Sequence, residues 1–439
     1  MGVFFGTDGL RGIVNEDLSY ELAYRCGNSL TAVKERPTVL IGRDTRVSGE
    51  YLTCAVALGV MCGGGSVIDA GIVPTAAVAY LTKNTDADFG VVISASHNSS
   101  EYNGIKVFSS DGYKLGDKEE ELLERLFMHT KVVGSLEIGR MKSDGSLYKR
   151  YEQFLIESSK NRFDGIRLAL DTANGAAYRI APRVFRALGA TVIPFNAKND
   201  GMKINDGCGA LYPERLAECM QKCNADIGFC FDGDADRLIT VLKNGKIIDG
   251  DMMLYMLARY FKEQGRLALD SVVGTSHTNM AIEEGLLRDG ITLYRADVGD
   301  KYVLSKLTEK NLTLGAEQSG HIIIKDLHTT GDGILSAITL LNMMIDKRAT
   351  LEELAGVEVY PQVNLNVRVS DKMKIMNNQF LSNEILSLQA QISGRGRIMV
   401  RASGTEPKIR VMVEGKCDEE NRKIAERLKW AVERADAFS

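Results

Sequence analysis

The chain has 439 residues, which at roughly 150 residues per domain predicts about three domains, with room for four; 44% of them are hydrophobic, enough to bury sizeable cores. With 54 basic and 58 acidic residues the net charge is −4, so no global field favours nucleic acid or an anionic membrane, and any anion site must be local. Eight scattered cysteines, none in a CxxC pair, predict reduced thiols in a cytoplasmic protein. Cys219 and Cys223 share a helix face but lack a second pair at zinc spacing, so zinc is not expected.

The first residues, Met1 to Gly6, carry no basic stretch and no sustained apolar core, so no signal peptide is expected. Gly6 stands where a myristoylation motif needs Ser or Thr. Strands are predicted at 38–42, 66–69 and 89–93, with helices near 51–61 and 118–129. The most apolar region, 55–81, is broken by three glycines and Asp69 and reads as helix, turn and strand, not as a membrane span. An amphipathic segment at 148–160 opens a second unit, with strands at 166–170, 191–195 and 227–231. A third unit begins near Gly250, with strands at 271–274, 291–294 and 322–324. The last segment orders a strand at 363–369, a helix at 379–392, strands at 397–400 and 409–414, and a helix at 419–436. The alternation predicts an α/β protein with largely parallel or mixed sheets, closed by a small α+β domain. The expected borders are 1–150, 151–250, 251–360 and 361–439.

Five polar segments carry candidate chemistry. Asp232-Gly233-Asp234-Ala235-Asp236-Arg237 follows the apolar run 227–231. Three carboxylates at alternate positions on a tight loop repel one another unless a cation joins them, and oxygen-only ligands suit Mg²⁺. An EF-hand is excluded, since Arg237 and Lys243 occupy the positions that need Gly and Glu. The plainer alternative is a solvated acidic turn. Ser94-Ala95-Ser96-His97-Asn98-Ser99-Ser100 follows the strand at 89–93 and offers hydroxyls beside a base. Spacing does not say which serine attacks, and an ordinary Ser/Asn turn is the competing reading. Lys106, near the same loop, is suited to neutralise phosphate, or to move protons if cationic neighbours depress its pKa. Arg401 to Arg410 gathers arginines, Ser403, Gly404 and Thr405 on one loop, a phosphate cradle that lacks the Walker ending. Glu317, Ser319 and His321 offer groups for sugar hydroxyls and proton exchange, and Arg11 sits on a glycine-rich turn; each is weak alone. Five polar loops over four domains imply one cleft.

Taken in order, these segments closely resemble the α-D-phosphohexomutase superfamily, over essentially the whole chain. The resemblance implies three similar α/β domains with mixed sheets plus a C-terminal α+β domain around a central cleft. It implies an isomerase that moves a phosphoryl group through a phosphoserine, with Mg²⁺ as cofactor. A sugar 1,6-bisphosphate or another phosphate donor would prime Ser96. On this resemblance Ser96 is the phosphoserine and joins Asp232, Asp234 and Asp236 around the metal. Arg11, Lys106 and His97 surround the transferring group, Lys106 being the general acid/base candidate, and Arg237 supports the metal loop. Glu317 and Ser319 bind sugar hydroxyls near His321, while Arg401, Ser403, Gly404, Thr405 and Arg410 hold the non-reacting phosphate.

Segments 204–210, 298–303 and 317–321 are more similar to the branch acting on glucosamine phosphates than to the phosphomannomutase branch. That branch interconverts glucosamine 6-phosphate and glucosamine 1-phosphate, supplying UDP-N-acetylglucosamine synthesis for cell-wall precursors. Ser99, Ala402, Ala316, Ala235 and Lys301 depart from the residues usual in the family, none at a position assigned to chemistry. The alternatives are a phosphomannomutase/phosphoglucomutase, a metal-dependent sugar phosphatase, or a silent sugar-phosphate sensor. The expected partner is a small-molecule hexosamine phosphate, without nucleic acid or membrane; a homodimer stays open.

Overall fold

The strands form four separate sheets. The computed structural model describes residues 5–6, 9–129, 134–403 and 407–437. Three sheets belong to one compact unit, Met1–His277 with Asp289–Ala355, and the fourth belongs to a second, Thr278–Arg288 with Gly356–Ser439.

The first sheet runs Phe5–Gly6, Gly9–Ile13, Tyr102–Ser109, Phe89–Ile93, Thr38–Arg43, Ser66–Ile72, Met141–Ser143. The second runs Ile247–Ile248, Leu238–Leu242, Ile227–Phe231, Arg167–Asp171, Thr191–Phe195. The third runs Thr292–Ala296, Ser271–Thr275, Leu314–Ala316, Ile322–Ile324. One arrangement recurs in all three. A buried strand (Phe89–Ile93, Ile227–Phe231 or Leu314–Ala316) pairs in parallel on one side and with its own successor in antiparallel on the other. The loop between strand and successor is the serine loop, the acidic loop and the Glu317 loop in turn. The mixed sheets expected from the sequence are therefore present. They follow from strands buried on both faces, which read as continuous apolar runs.

The structure adds strands that the apolar pattern hides. Tyr102–Ser109 is a full strand, although Asn103, Gly104 and Lys106 interrupt its hydrophobic run. Lys106 thus stands mid-strand, paired with Val92. Region 55–81 holds the helices Gly49–Cys62 and Thr75–Lys83 around the strand Ser66–Ile72. Among the described residues no helix is long and apolar enough to cross a membrane.

The second unit has an antiparallel sheet, Gln362–Arg368, Lys408–Gly415, Gly396–Ala402. Its core gathers Val367, Ile409, Val411, Val413, Leu388 and Leu428 from sheet and helices. Helix Met280–Arg288 is tied to this unit. The fully buried Glu414 accepts from Met280 N at 2.6 Å, and the side chain of Asn279 exchanges two bonds with the Tyr360 backbone.

Candidate active site

The serine loop leaves the strand Phe89–Ile93 by a sharp turn. Ser96 takes φ +51°, a left-handed conformation uncommon outside glycine, and is 1% exposed. Its amide donates to Ser94 Oγ at 2.9 Å. Its hydroxyl donates to Asp232 Oδ2 at 2.7 Å and lies 3.3 Å from His97 Nδ1. Spacing left Ser94 and Ser96 as equals. The fold separates them: Ser94 Oγ donates to the buried Asp44 at 2.6 Å, so only Ser96 is aimed at the acidic loop. Arg11 Nη1 donates to Asn98 Oδ1 at 3.3 Å, which brings the N-terminal arginine to the same place.

The acidic loop turns tightly because Ala235 adopts φ +58° and because Gly233 has no side chain. A Cβ there would stand 2.5 Å from Ser96 O. Asp232, Asp234 and Asp236 are buried, each with a carboxylate oxygen within 4.8 Å of the others. Lys106 Nζ donates to Asp234 Oδ2 at 2.9 Å and to Asp236 Oδ2 at 3.4 Å. Both of these partners are carboxylates. Thr75, at the start of helix Thr75–Lys83, donates its hydroxyl to Asp234 Oδ2 at 2.6 Å. Arg237 donates its amide to Asp232 Oδ1 at 3.2 Å, with its guanidinium 4.0 Å from Asp232 and Asp236.

The three carboxylates are electrostatically unequal. Burial, then the charges of Asp236 and Asp234, push Asp232 well above the usual carboxylate range. Burial opposes the charged form of Asp236 too, but Lys106, His321 and Arg237 outweigh it and hold that carboxyl well down. Asp234 Oδ1 and Asp236 Oδ1 are buried and accept no hydrogen bond among the described residues. Buried acceptors without donors are costly, and a hard dication bound by oxygen ligands satisfies both atoms. The donor set fits Mg²⁺.

The third loop is joined to the second by backbone. Leu238 N donates to Gly320 O at 3.0 Å, and Arg237 bridges His321. Gly320, at φ +91°, permits this approach, since a Cβ there would lie 2.0 Å from Leu238 O. His321 Nδ1 is 3.7 Å from Asp236 and its Nε2 is 3.8 Å from Asp300. Burial disfavours the imidazolium, but Asp236 and Asp300 reverse that and raise its pKa. Glu317 accepts from Gly299 N at 2.9 Å, and burial raises its carboxyl. A cavity of about 320 Å³ opens here; Arg11, His97, Asp236, Arg237, Glu317, Ser319 and His321 all line it. Its volume suits a small polar ligand. Ser96, Lys106, Asp232 and Asp234 are buried.

Sequence reasoning gave no role to Asp44, Arg46, Thr75, Asn205 or Asp300. The run Arg43-Asp44-Thr45-Arg46, charged residues directly after a buried strand, was the available signal for the first two.

In the second unit Arg401 and Arg410 are cross-strand partners, so they flank the turn from two strands rather than sharing one loop. Burial and the neighbouring charge of Arg410 push Arg401 below the ordinary guanidinium value. Adjacent guanidiniums gain from an anion between them. Ser403 is buried, and its carbonyl accepts from Lys372 Nζ at 2.7 Å. Gly404 and Thr405 lie outside the described residues.

Four family models match the chain in order: phosphoglucomutase/phosphomannomutase alpha/beta/alpha domain I over residues 2–132, domain II over 147–245, domain III over 249–360 and the C-terminal domain over 365–429. A phosphoglucosamine mutase of Alkaliphilus oremlandii is 43% identical over 99% of both chains. One of Bacillus subtilis is 43% identical over 97% of this chain and 98% of its own. Among solved structures, a phosphoglucomutase/phosphomannomutase family protein of Burkholderia thailandensis superposes with a TM-score of 0.84 at 23% identity, covering 98% of this chain and 97% of that one. An N-acetylphosphoglucosamine mutase of Aspergillus fumigatus, in complex with GlcNAc-6P and magnesium, superposes with a TM-score of 0.70 at 17% identity, covering 98% and 96%. The two superpositions establish a shared fold. With all four domains matched in sequence and relatives above two-fifths identity over their full length, the chain belongs to the phosphoglucomutase/phosphomannomutase family of α-D-phosphohexomutases.

Proposed function

We propose that this protein is an isomerase that interconverts glucosamine 6-phosphate and glucosamine 1-phosphate through a phosphorylated Ser96 and a 1,6-bisphosphate. The observation that carries the reading is the Ser96 hydroxyl 2.7 Å from Asp232, within the carboxylate cluster and beside a polar cavity. The whole-length likeness to phosphoglucosamine mutases supports the amino sugar.

In the proposed reaction the sugar C1 hydroxyl attacks the phosphorus on Ser96. The P–Oγ bond breaks as the P–O1 bond forms, and Lys106 carries the hydroxyl proton to the departing Oγ. The bisphosphate then presents its other end. Ser96 takes that phosphoryl group by the same steps reversed, and glucosamine 1-phosphate leaves. Arg11 and His97 face the transferring group, while Arg237 and His321 hold the two loops in register. Glu317 and Ser319 accept and donate to ring hydroxyls. Asp232, Asp234, Asp236 and the phosphorylated Ser96 would hold Mg²⁺, which when bound neutralises developing charge on the phosphoryl oxygens. Arg401, Ser403, Gly404, Thr405 and Arg410 grip the non-reacting phosphate, and paired guanidinium forks suit either end of the sugar. The protein acts in the cytoplasm, with domain borders near residues 150, 250 and 360.

The test is intact-mass analysis joined to a coupled assay on glucosamine 6-phosphate. One phosphate on Ser96 and isomerised product are expected. Ser96→Ala should lose both while its melting curve stays close to wild type. Wild-type turnover in Ser96→Ala would exclude the nucleophile. Free phosphate without isomerised sugar would mark a phosphatase, and a higher kcat/KM for neutral hexose phosphates would mark a phosphomannomutase/phosphoglucomutase.

A further inference from the structure

We propose that Arg46 and Asn205 form a two-sided clamp that fixes the left-handed backbone of Ser96, making both of them positioning residues for phosphoryl transfer; this rests on the reading of Ser96 as the nucleophile. A non-glycine residue at φ +51° persists where its surroundings over-determine it. Here they do so from two sheets.

On the first-sheet side, Arg46 Nη2 donates to Ser96 O at 3.1 Å and Asn98 O at 2.7 Å. Its Nη1 donates to Tyr102 O at 2.9 Å and to Ser99 O. Its Nε donates to Asp44 Oδ2 at 3.0 Å. The same Asp44 oxygen accepts from Ser94 Oγ at 2.6 Å, and Ser94 Oγ accepts from Ser96 N at 2.9 Å. Both backbone polar groups of Ser96 therefore lead back to one ion pair. From the second sheet's side, Asn205 Nδ2 donates to the same two carbonyls, Ser96 O at 2.8 Å and Asn98 O at 2.9 Å. Asn205 is itself anchored by its amide to Ala173 O at 3.0 Å.

The clamp acts by geometry, not by charge. The Arg46 and Asp44 side chains are fully buried and neutralise each other at contact distance. The pair therefore adds little net field at the phosphoryl group, unlike Arg11 or Lys106. What it adds is aim: a fixed Ser96 backbone holds Oγ on Asp232. Misplacing a reacting atom by about 1 Å can cost on the order of 10²-fold in rate.

The test compares wild type, Asn205→Ala and Arg46→Lys, the last keeping the charge but losing the guanidinium fork. Thermal melting, kcat and KM for glucosamine 6-phosphate, and phosphate on Ser96 by intact mass are measured. Folded variants with kcat down about 30- to 100-fold and KM within about threefold support the clamp. Unchanged kcat, or a KM effect with kcat preserved, overturns it. If Arg46→Lys does not fold, Asn205→Ala decides. If wild type carries no phosphate and does not turn over, the functional reading fails instead. The clamp is then judged by a crystal structure of Asn205→Ala. There Ser96 leaving the left-handed region supports it, and Ser96 unmoved overturns it.

Discussion

Asp234 has two different oxygens. Oδ2 accepts from Thr75 and Lys106, while Oδ1 has no hydrogen-bond donor among the described residues. Asp234→Asn keeps the shape and removes the charge that a dication needs. It should raise the Mg²⁺ concentration for half-maximal activity at least about tenfold; an unaltered Mg²⁺ titration would count against the loop as a metal site. A second residue test lies outside the chemistry. His328 is buried near Tyr80 and Phe154, and burial pushes its pKa down to about 4. The unfolded chain accepts a proton near 6.5, the native one only near 4. Stability at pH 7 is therefore lost as pH falls through that window, by about 3 kcal/mol at most. Asp332, raised to about 6 chiefly by burial, works oppositely between about 6 and its ordinary 3.8. A difference measurement isolates the histidine. In urea titrations at pH 7 and pH 4.5, the stability of wild type relative to His328→Gln should shrink at the lower pH. A constant difference would refute the neutral, buried ring.

At the scale of elements, one motif serves three times: a buried parallel strand, a polar loop, and an antiparallel successor. The loops place the serine, the carboxylates and Glu317 at equivalent positions of three sheets, and backbone bonds such as Leu238 N to Gly320 O join adjacent loops. Rigid strands on both sides of each loop limit its freedom, which suits a site that needs alignment. The Gly396–Ala402 and Lys408–Gly415 hairpin is a different device, with Arg401 opposite Arg410. If that hairpin grips the non-reacting phosphate, Arg401→Ala removes binding common to ground and transition states. KM should rise about tenfold or more while kcat changes less. Steady-state kinetics showing an unchanged KM would argue against the cradle.

At the scale of the molecule, each sheet has its own apolar cluster. Val39, Ile41 and Val91 belong to the first, Ala169 and Val241 to the second, Val273 and Val303 to the third, and Val411 and Leu428 to the fourth. Three of the sheets lie in one compact unit and the fourth in a second, and such units unfold as separate cooperative blocks where they share little surface. Scanning calorimetry should give more than one transition, with a calorimetric enthalpy above the van't Hoff value. A single two-state transition would show tighter coupling than the cores imply.

Much of this was legible in the residue order. Strands 89–93 and 227–231 are apolar without interruption, so their ends, and the Ser96 and Asp232 loops that follow, could be placed by pattern alone. The alternate carboxylates point to a cation because like charges in a tight turn repel one another unless a cation joins them. Tyr102–Ser109 was not legible, because a strand that must bury Asn103 and Lys106 beside a charged site breaks its own hydrophobic period. Nor were Asp44, Arg46, Thr75, Asn205 and Asp300, which reach partners 50 to 186 positions away. Local sequence determines which residue types sit at strand ends. Only tertiary structure decides which serine of that loop faces the aspartates, because that choice is made by hydrogen bonds between sheets that are distant in the chain.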